Sequence, residues 1–261
     1  MSDYQWQINA KATPQKDLSS WQPKVGATII QQKPKLKVQL TLLIDNPSTT
    51  VYLAGEFNEW GKKDIKQYKF THDTHSLYAT LTTDVLQHKT PYMLIVNGKF
   101  MQDPAAAYFD EQGNSIFWQH TYQHKHKQPD ILTKALKIAQ CDLPGLIQHW
   151  KAKKGPFRGK LGRQIPQKNY YQFIATSGII QHIAYLGYNA LQFLPFAQSI
   201  DGDNWKLRYL VAYHYALQHN WGNPDEFSKM IDEFHKHGIG IIADVVLSHL
   251  PNKDFNLFGK S

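Results

Sequence analysis

Residues 35–44 alternate, with Leu36, Val38, Leu40 and Leu42 on one face and Lys35, Lys37, Gln39 and Thr41 on the other, and the run turns at Asp45-Asn46-Pro47. Period-two alternation predicts a half-buried strand. Further short runs follow at residues 51–54, 68–70, 76–82 and 92–96, with a glycine-bounded loop at residues 55–61. The last run meets Asn97-Gly98, a pair that accepts positive φ at both turn positions and so predicts a tight hairpin. Strands this short and closely spaced predict an antiparallel sandwich of about 85 residues.

The pattern changes period after Asn169. Ile179, Ile180, Ile183 and Leu186 share one helical face within residues 177–187, closed by Gly187. Residues 189–194 then read as a short buried strand ending at Pro195. Asn223 predicts an N-cap, Pro224 the first helical position, and Asp225 and Glu226 the acidic first turn. Phe227, Met230, Ile231 and Phe234 line that helix and Gly238 ends it. Residues 239–246 are almost continuously apolar, as in a parallel strand covered on both faces. Helix and strand in alternation predict βα units, with a further strand expected near residues 146–150. Asp244 interrupts the last apolar strand, and Ser248 and His249 follow it. Strand C-termini hold binding and catalytic groups in parallel α/β folds. A loop-capping Asp and a surface His fit the same residues.

Composition narrows the classes. Of 261 residues, 42% are hydrophobic and 19% charged, a globular mix. No apolar run reaches the ~18–20 residues of a membrane span, and the opening Met1-Ser2-Asp3-Tyr4-Gln5-Trp6 lacks the pattern of a secretory signal. One cysteine, Cys141, excludes an internal disulfide and cysteine-pair zinc sites, and fits a reducing, cytoplasmic setting. The net charge of +8 is local, because residues 125–168 carry eleven Lys/Arg against Asp130 and Asp142. That segment, punctuated by Pro129, Pro144, Gly155, Pro156, Gly159 and Gly162, reads as a solvated linker. It lacks the interleaved aromatics of a nucleic-acid surface. His120, His124 and His126 read as part of the same solvated stretch rather than as metal ligands.

The residues of the first region resemble a known family. Val51-Tyr-Leu-Ala-Gly-Glu-Phe-Asn-Glu-Trp60, then Tyr92-x3-Val96-Asn-Gly98-x-Phe100-x2-Asp103-Pro104, then Gly113-Asn114-Ser115, are similar to carbohydrate-binding module family 48. This is the early-set, immunoglobulin-like sandwich that precedes α-glucan branching and debranching enzymes. The resemblance implies a glucan surface on which Trp60 and Phe100 stack on sugars and Asn114 bonds a hydroxyl. Met93 stands where binding members have a lysine donor. Two readings stay open: a sugar-stacking pair, or rings that close the sandwich against the next domain.

The second region resembles the α-amylase superfamily, glycoside hydrolase family 13. The motifs are Leu186-Gly-Tyr-Asn-Ala-Leu-Gln-Phe-Leu-Pro195, Trp221-Gly-Asn-Pro-Asp-Glu-Phe227 and His237-Gly-Ile-Gly-Ile-Ile-Ala-Asp-Val-Val-Leu-Ser-His249. By this resemblance Asp244 supports the site by orienting an arginine, His249 bonds a sugar hydroxyl, and Tyr209 stacks under the sugar. Ser248 replaces the asparagine that helps hold calcium in some members, and no metal or cofactor is expected. Arg208 and Leu207 replace a glycine and a tryptophan of the family pattern.

The expected organisation is an N-terminal extension (1–32), an early-set β-sandwich (33–120), a basic linker leading into the barrel (121–168), and an incomplete (β/α)8 TIM barrel (169–261). A full barrel takes about 250 residues, at least about 200, whereas 128 remain from Lys134 onward. That is room for about three strands. The retaining mechanism needs two carboxylates about 5 Å apart, which the family carries after its fourth and fifth strands. The chain is therefore expected to be a truncated or split α-glucan protein, inactive alone, with a second polypeptide completing the barrel. A non-catalytic module that binds glucan or a partner is the other class the sequence supports.

Overall fold

The computed structural model describes residues 25–247 except 45, 73–77, 133–134, 153–167, 201–203, 205 and 207. Its front half is β-rich. Strands β1 (Gly26–Gln31), β2 (Lys37–Leu43), β3 (Val51–Gly55), β4 (Thr71–His72), β5 (Tyr78–Thr83), β6 (Thr90–Val96), β7 (Lys99–Met101), β8 (Tyr108–Phe109) and β9 (Ser115–Phe117) form two antiparallel sheets. One runs β1-β2-β5-β4; the other runs β3-β6-β9-β8, with β7 on β6. The alternation explains the packing. Val38, Leu40 and Leu42 of β2 meet Leu53, Tyr92 and Leu94 of the opposite sheet in one buried cluster. The Asn97-Gly98 hairpin forms as expected, with φ of 48° and 83° and Val96 paired to Lys99.

The back half continues with β10 (Ile138–Cys141), α1 (Leu143–Ala152), α2 (Tyr170–Thr176), α3 (Ile179–Tyr185), β11 (Ala190–Phe193), β12 (Ala197–Ser199), β13 (Val211–Leu217), α4 (Pro224–Lys236) and β14 (Gly240–Ala243). Strands β10, β11 and β14 are parallel and adjacent in that order, with Cys141, Phe193 and Ala243 in register at their C-terminal ends. Strands β12 and β13 form a separate antiparallel pair. Helix α4 starts as its sequence predicts. The Asn223 carboxamide accepts the Asp225 and Glu226 amides at 3.1 and 3.0 Å, and Glu226 accepts the Asn223 amide at 2.9 Å. Met230 and Phe234 then pack into a core with Phe193, Ile180 and Trp221.

Four expectations are corrected. Residues 146–150 are helix, not strand. Leu143, Leu146, Ile147 and Trp150 recur at helical spacing and pack on the core, and Asp142 caps the turn by accepting the Gly145 amide at 3.1 Å. The first parallel strand lies earlier, at β10, so residues 121–168 contain a strand and a helix and are not only a linker. The first sheet also begins before Lys33, because β1 pairs with β2 inside the stretch expected to be an extension. Residues 68–70 contribute only an isolated bridge, between Lys69 and Tyr52.

The two halves dock through named contacts. Phe109 packs on Tyr213 at 4.6 Å between ring centroids, and the Tyr213 hydroxyl donates to Gln102 at 3.0 Å. The segment after β9 lies along α4. Buried Asp232 accepts bonds from the Tyr122 hydroxyl at 2.7 Å and from the Lys125 and His126 amides at 3.1 and 2.8 Å. His120 and His124 remain exposed, as expected of a solvated stretch, while lying 3.5 and 3.9 Å from Asp225 and Asp232, and the half-buried His126 lies 3.2 Å from Asp232.

Candidate functional site

Two surfaces carry the residues singled out by sequence. The first is the outer face of the sheet containing β6. Tyr92 and Leu94 point inward to the core, so Met93 and Ile95 face outward. Phe100 is paired opposite Ile95 on β7 and is 55% exposed. Ser115 pairs with Tyr92, and the same register one residue on sets Asn114 beside Met93. The loop after β3 completes the group. A side chain on Gly61 would meet Ile95 at 2.7 Å, so the loop that carries Trp60 crosses the outer face at Gly61.

That loop is strained in a specific way. Glu59 and Trp60 adopt left-handed φ of 50° and 57°, which costs roughly 1–2 kcal/mol for each side-chain-bearing residue. Buried Asn58 holds them there. Its side-chain oxygen accepts the Gly55 and Gly61 amides, each at 3.0 Å, and its amide donates to Leu53 O at 2.9 Å. Asn114 is also fixed, with Nδ2 donating to Asp110 at 2.8 Å. Gln102, the stretch from Ala106 to Glu111 that includes β8, and the Trp118–His126 stretch make contacts to the back half. Exposed Phe100 thus stays open while that docking side is occupied.

The second surface is the C-terminal end of the parallel strands. Asp142 follows β10, Asp244 follows β14, and the β12–β13 connection brings Arg208 and Tyr209 to the same end. The Tyr209 hydroxyl donates to Asp244 Oδ2 at 2.9 Å. Burial of the phenol, then the bond to Asp244 and its charge, hold the Tyr209 pKa above its ordinary value. His214 Nε2 lies 3.0 Å from Val246 O and ties the stretch after β14 to β13. His249 and Ser248 lie outside the described residues. Asp142 and His214 were not singled out by sequence. Asp142 carried a legible signal, since an Asp three residues before a glycine amide at a helix start is a capping pattern; His214 carried none. Among the described residues, no group of three or more His, Cys, Asp or Glu is arranged to hold a metal ion.

Comparison with known proteins places these surfaces in context. Residues 175–261 match the family model described as alpha amylase, catalytic domain. A stretch of 87 residues is 41% identical to the 1,4-alpha-glucan branching enzyme GlgB of Corynebacterium efficiens, covering 33% of this chain and 12% of that protein. The GlgB of Aquifex aeolicus is 27% identical over 210 residues, 77% of this chain and 31% of its own length. The pullulanase of Bacillus acidopullulyticus superposes with a TM-score of 0.62 over 90% of this chain and 31% of that one, at 14% identity. A pullulanase of Anoxybacillus, solved with maltotetraose, gives 0.60 over 85% of this chain and 34% of its own, at 18% identity. The chain thus shares a β-rich, multidomain architecture with these proteins and spans between 12% and 34% of their length.

Proposed function

We propose, from the membership of residues 175–261 in the α-amylase catalytic-domain family, that this chain is an α-glucan-active protein of the branching or debranching type. The observation that carries the reading is the Tyr209–Asp244 hydrogen bond at the C-terminal end of the parallel strands. In barrels of parallel strands that end holds the reacting groups. On this reading β10, β11 and β14 are the first three strands of a (β/α)8 barrel. Asp244 and Tyr209 form the supporting edge of its sugar site; the role of His249 rests on family resemblance alone. The Tyr209 ring supplies a flat apolar face for a pyranose while its hydroxyl, bonded to Asp244, fixes the ring plane. The front half is an early-set carbohydrate-binding sandwich, with Trp60 and Phe100 as stacking rings and Asn114 as the polar contact. Support for that comes from the outer face that Met93, Phe100 and Asn114 share and that the loop carrying Trp60 crosses. The reading includes a cytoplasmic setting and no cofactor.

A second reading has an observation of its own. Among the described residues β14 is hydrogen-bonded only to β11, and Val245 and Leu247 beyond it are 64% and 82% exposed. An unpaired strand edge is a template for another strand, supplied by further residues of the same protein or by a second polypeptide. In that case these residues act as a glucan- or partner-binding unit. Affinity electrophoresis in glycogen gels tests the shared core of both readings. Retardation of the parent, reduced by Trp60→Ala and separately by Tyr209→Ala, is expected. Mobility indifferent to glycogen in the parent would remove the glucan assignment.

A further inference from the structure

Beneath the Tyr209–Asp244 edge lies a charged residue that solvent does not reach. Arg208 has no exposed surface. Its guanidinium carbon is 3.7 Å from the ring centroid of Trp221, and Nη2 lies 3.5 Å from Asp142 Oδ1. Each partner belongs to a different element. Asp142 follows β10 and caps α1 with its other oxygen. Trp221, 1% exposed, closes the turn that leads into α4. The residue after Arg208 is Tyr209, whose hydroxyl reaches Asp244 beyond β14. A single side chain therefore joins the ends of the first strand, the β12–β13 connection and the approach to α4, one residue from the candidate sugar contact.

We propose that Arg208 is a positioning residue of the glucan site: stacked on Trp221 and paired with Asp142, it fixes the loop that holds the Tyr209 hydroxyl on Asp244. The inference rests on the reading of Tyr209 and Asp244 as the supporting edge of that site. Arginine suits this place for two separate reasons. Its flat, weakly hydrated guanidinium presents a face to an indole while its edge meets a carboxylate. Lysine, a compact and strongly hydrated charge, has no such face. The position is also unforgiving. Consecutive Cα atoms are ~3.8 Å apart, so a displaced residue 208 drags Tyr209 with it. A hydroxyl–carboxylate bond weakens steeply once its geometry is lost. A charge buried without its partner is costly, so loss of Asp142 moves the same anchor from the other side.

The test reads Tyr209 itself. The 261-residue chain is prepared with 13C at the tyrosine ring Cζ, and the Tyr209 signal is assigned by its loss in Tyr209→Phe. In the parent this phenol ionises above its ordinary range, with Asp244→Asn as the reference for a released hydroxyl. Arg208→Met and Asp142→Asn are each expected to shift Tyr209 towards that reference, while the tyrosines other than Tyr171, which feels the Arg208 charge, keep their titration. Arg208→Lys is expected to restore it only in part. A residue that merely fills space would lower stability and leave the Tyr209 titration where it was. Any of these three variants that keeps the parent near-ultraviolet circular dichroism can decide. Should Arg208→Met lose its fold, Asp142→Asn and Arg208→Lys are judged by the same criterion. Tyr209 ionising as in the parent in a folded variant overturns the proposal. Maltotetraose titration separates this outcome from failure of the functional reading. A parent chain that never binds the sugar removes the glucan site but leaves the phenol result to judge Arg208. Binding lost in Tyr209→Phe, beside a phenol indifferent to residue 208, keeps the glucan site and removes the role of Arg208.

Discussion

The two halves of the molecule solve the strand-edge problem differently. In the front half, β2 is flanked by β1 and β5, and β6 by β3, β7 and β9, so the long central strands bond on both sides. Two sheets then close over one cluster of buried side chains. In the back half only β11 is bonded on both sides among the described residues, with β10 and β14 at the margins. Antiparallel strands joined by tight turns complete a sandwich within a short stretch of chain. Parallel strands need a crossover each and bury both faces only when more of them follow. Among the described residues the two front sheets thus cover each other, whereas the parallel sheet of the back half keeps an unpaired edge at β10 and at β14.

The largest consequence concerns turnover. If the retaining mechanism of the resembling family applies, two carboxylates must flank the scissile bond about 5 Å apart. At the described strand ends Asp244 is engaged by Tyr209, and Asp142 by Arg208 and the α1 cap. Binding by such an edge alone does not lower a barrier. The purified 261-residue polypeptide is expected to release product from glycogen, amylose and maltooligosaccharides at the rate of the buffer blank. Reproducible turnover abolished by Asp244→Ala would overturn the proposal that the strand ends hold only a supporting edge.

Next in size is local stability. Amide hydrogen exchange is expected to be on the order of a hundredfold faster in β14 than in β2 or β6, because opening a marginal strand needs little more than fraying. Equal protection in β14 and β6 would mean the open edge is covered in solution.

Two buried carboxylates sharpen the same contrast through pH. Asp103 of the front half accepts the Tyr92 hydroxyl at 2.7 Å and the Ala105 amide at 2.8 Å. Burial outweighs these bonds, so its pKa is raised. Asp232 of α4 is opposed by burial too, yet the Tyr122 hydroxyl, the His126 and Lys125 amides and the His126 ring together hold its pKa below the usual range. The signs follow. Stability from Asp103 is full below the unfolded carboxylate pKa of about 3.9 and is lost as pH rises through its raised value. Stability from Asp232 is present above about 3.9 and fades as pH falls towards its lowered value. Urea denaturation should therefore find Asp232→Asn weaker than the parent by about 2 kcal/mol at pH 7, the scale of hydrogen bonds to a charged group. That gap is expected to narrow below pH ~4. Asp103→Asn should instead flatten the parent's decline above pH ~4. A gap for Asp232→Asn that is constant with pH would remove the charged clamp.

Much of this arrangement was legible in the sequence, and the misses have physical reasons. Strands β2, β3, β5, β6 and β11, helices α3 and α4 and the Asn97-Gly98 hairpin each carry a full local signal: period, cap or turn residue. Strand β10 is four residues with alternating exposure, too short to show a period. Pro144 reads as a breaker although it falls in the first turn of α1, where proline is tolerated. The β12–β13 pair has no tight-turn signature at its tip. At the site, Tyr209 and Asp244 were reachable through family resemblance, but their contact was not. The burial of Arg208 was illegible, since a loop arginine normally signals solvent and its partners, Asp142 and Trp221, are remote in sequence.

The smallest effect tests the outer face of the sandwich, where the front half would earn its binding role. Trp60 and Phe100 offer rings, but stacking alone leaves the sugar hydroxyls bonded to water. Met93 stands between Ile95 and the strand end, in line with Asn114, and its thioether cannot donate a hydrogen bond. Met93→Lys adds a donor at this half-exposed place, where the stem can lie along the apolar face and the ammonium can reach outward. Glucan affinity is expected to rise by about 1 kcal/mol, the usual net value of one hydrogen bond, close to fivefold. Trp60→Ala in the same assay is expected to lower affinity by a similar or larger amount, since it removes the apolar ring face that a bound sugar would take out of water. Isothermal titration with maltoheptaose reads both. If neither substitution moves the affinity, the strained loop that Asn58 holds in place serves the sandwich alone, and any glucan bound by this chain is bound at the strand ends of the back half.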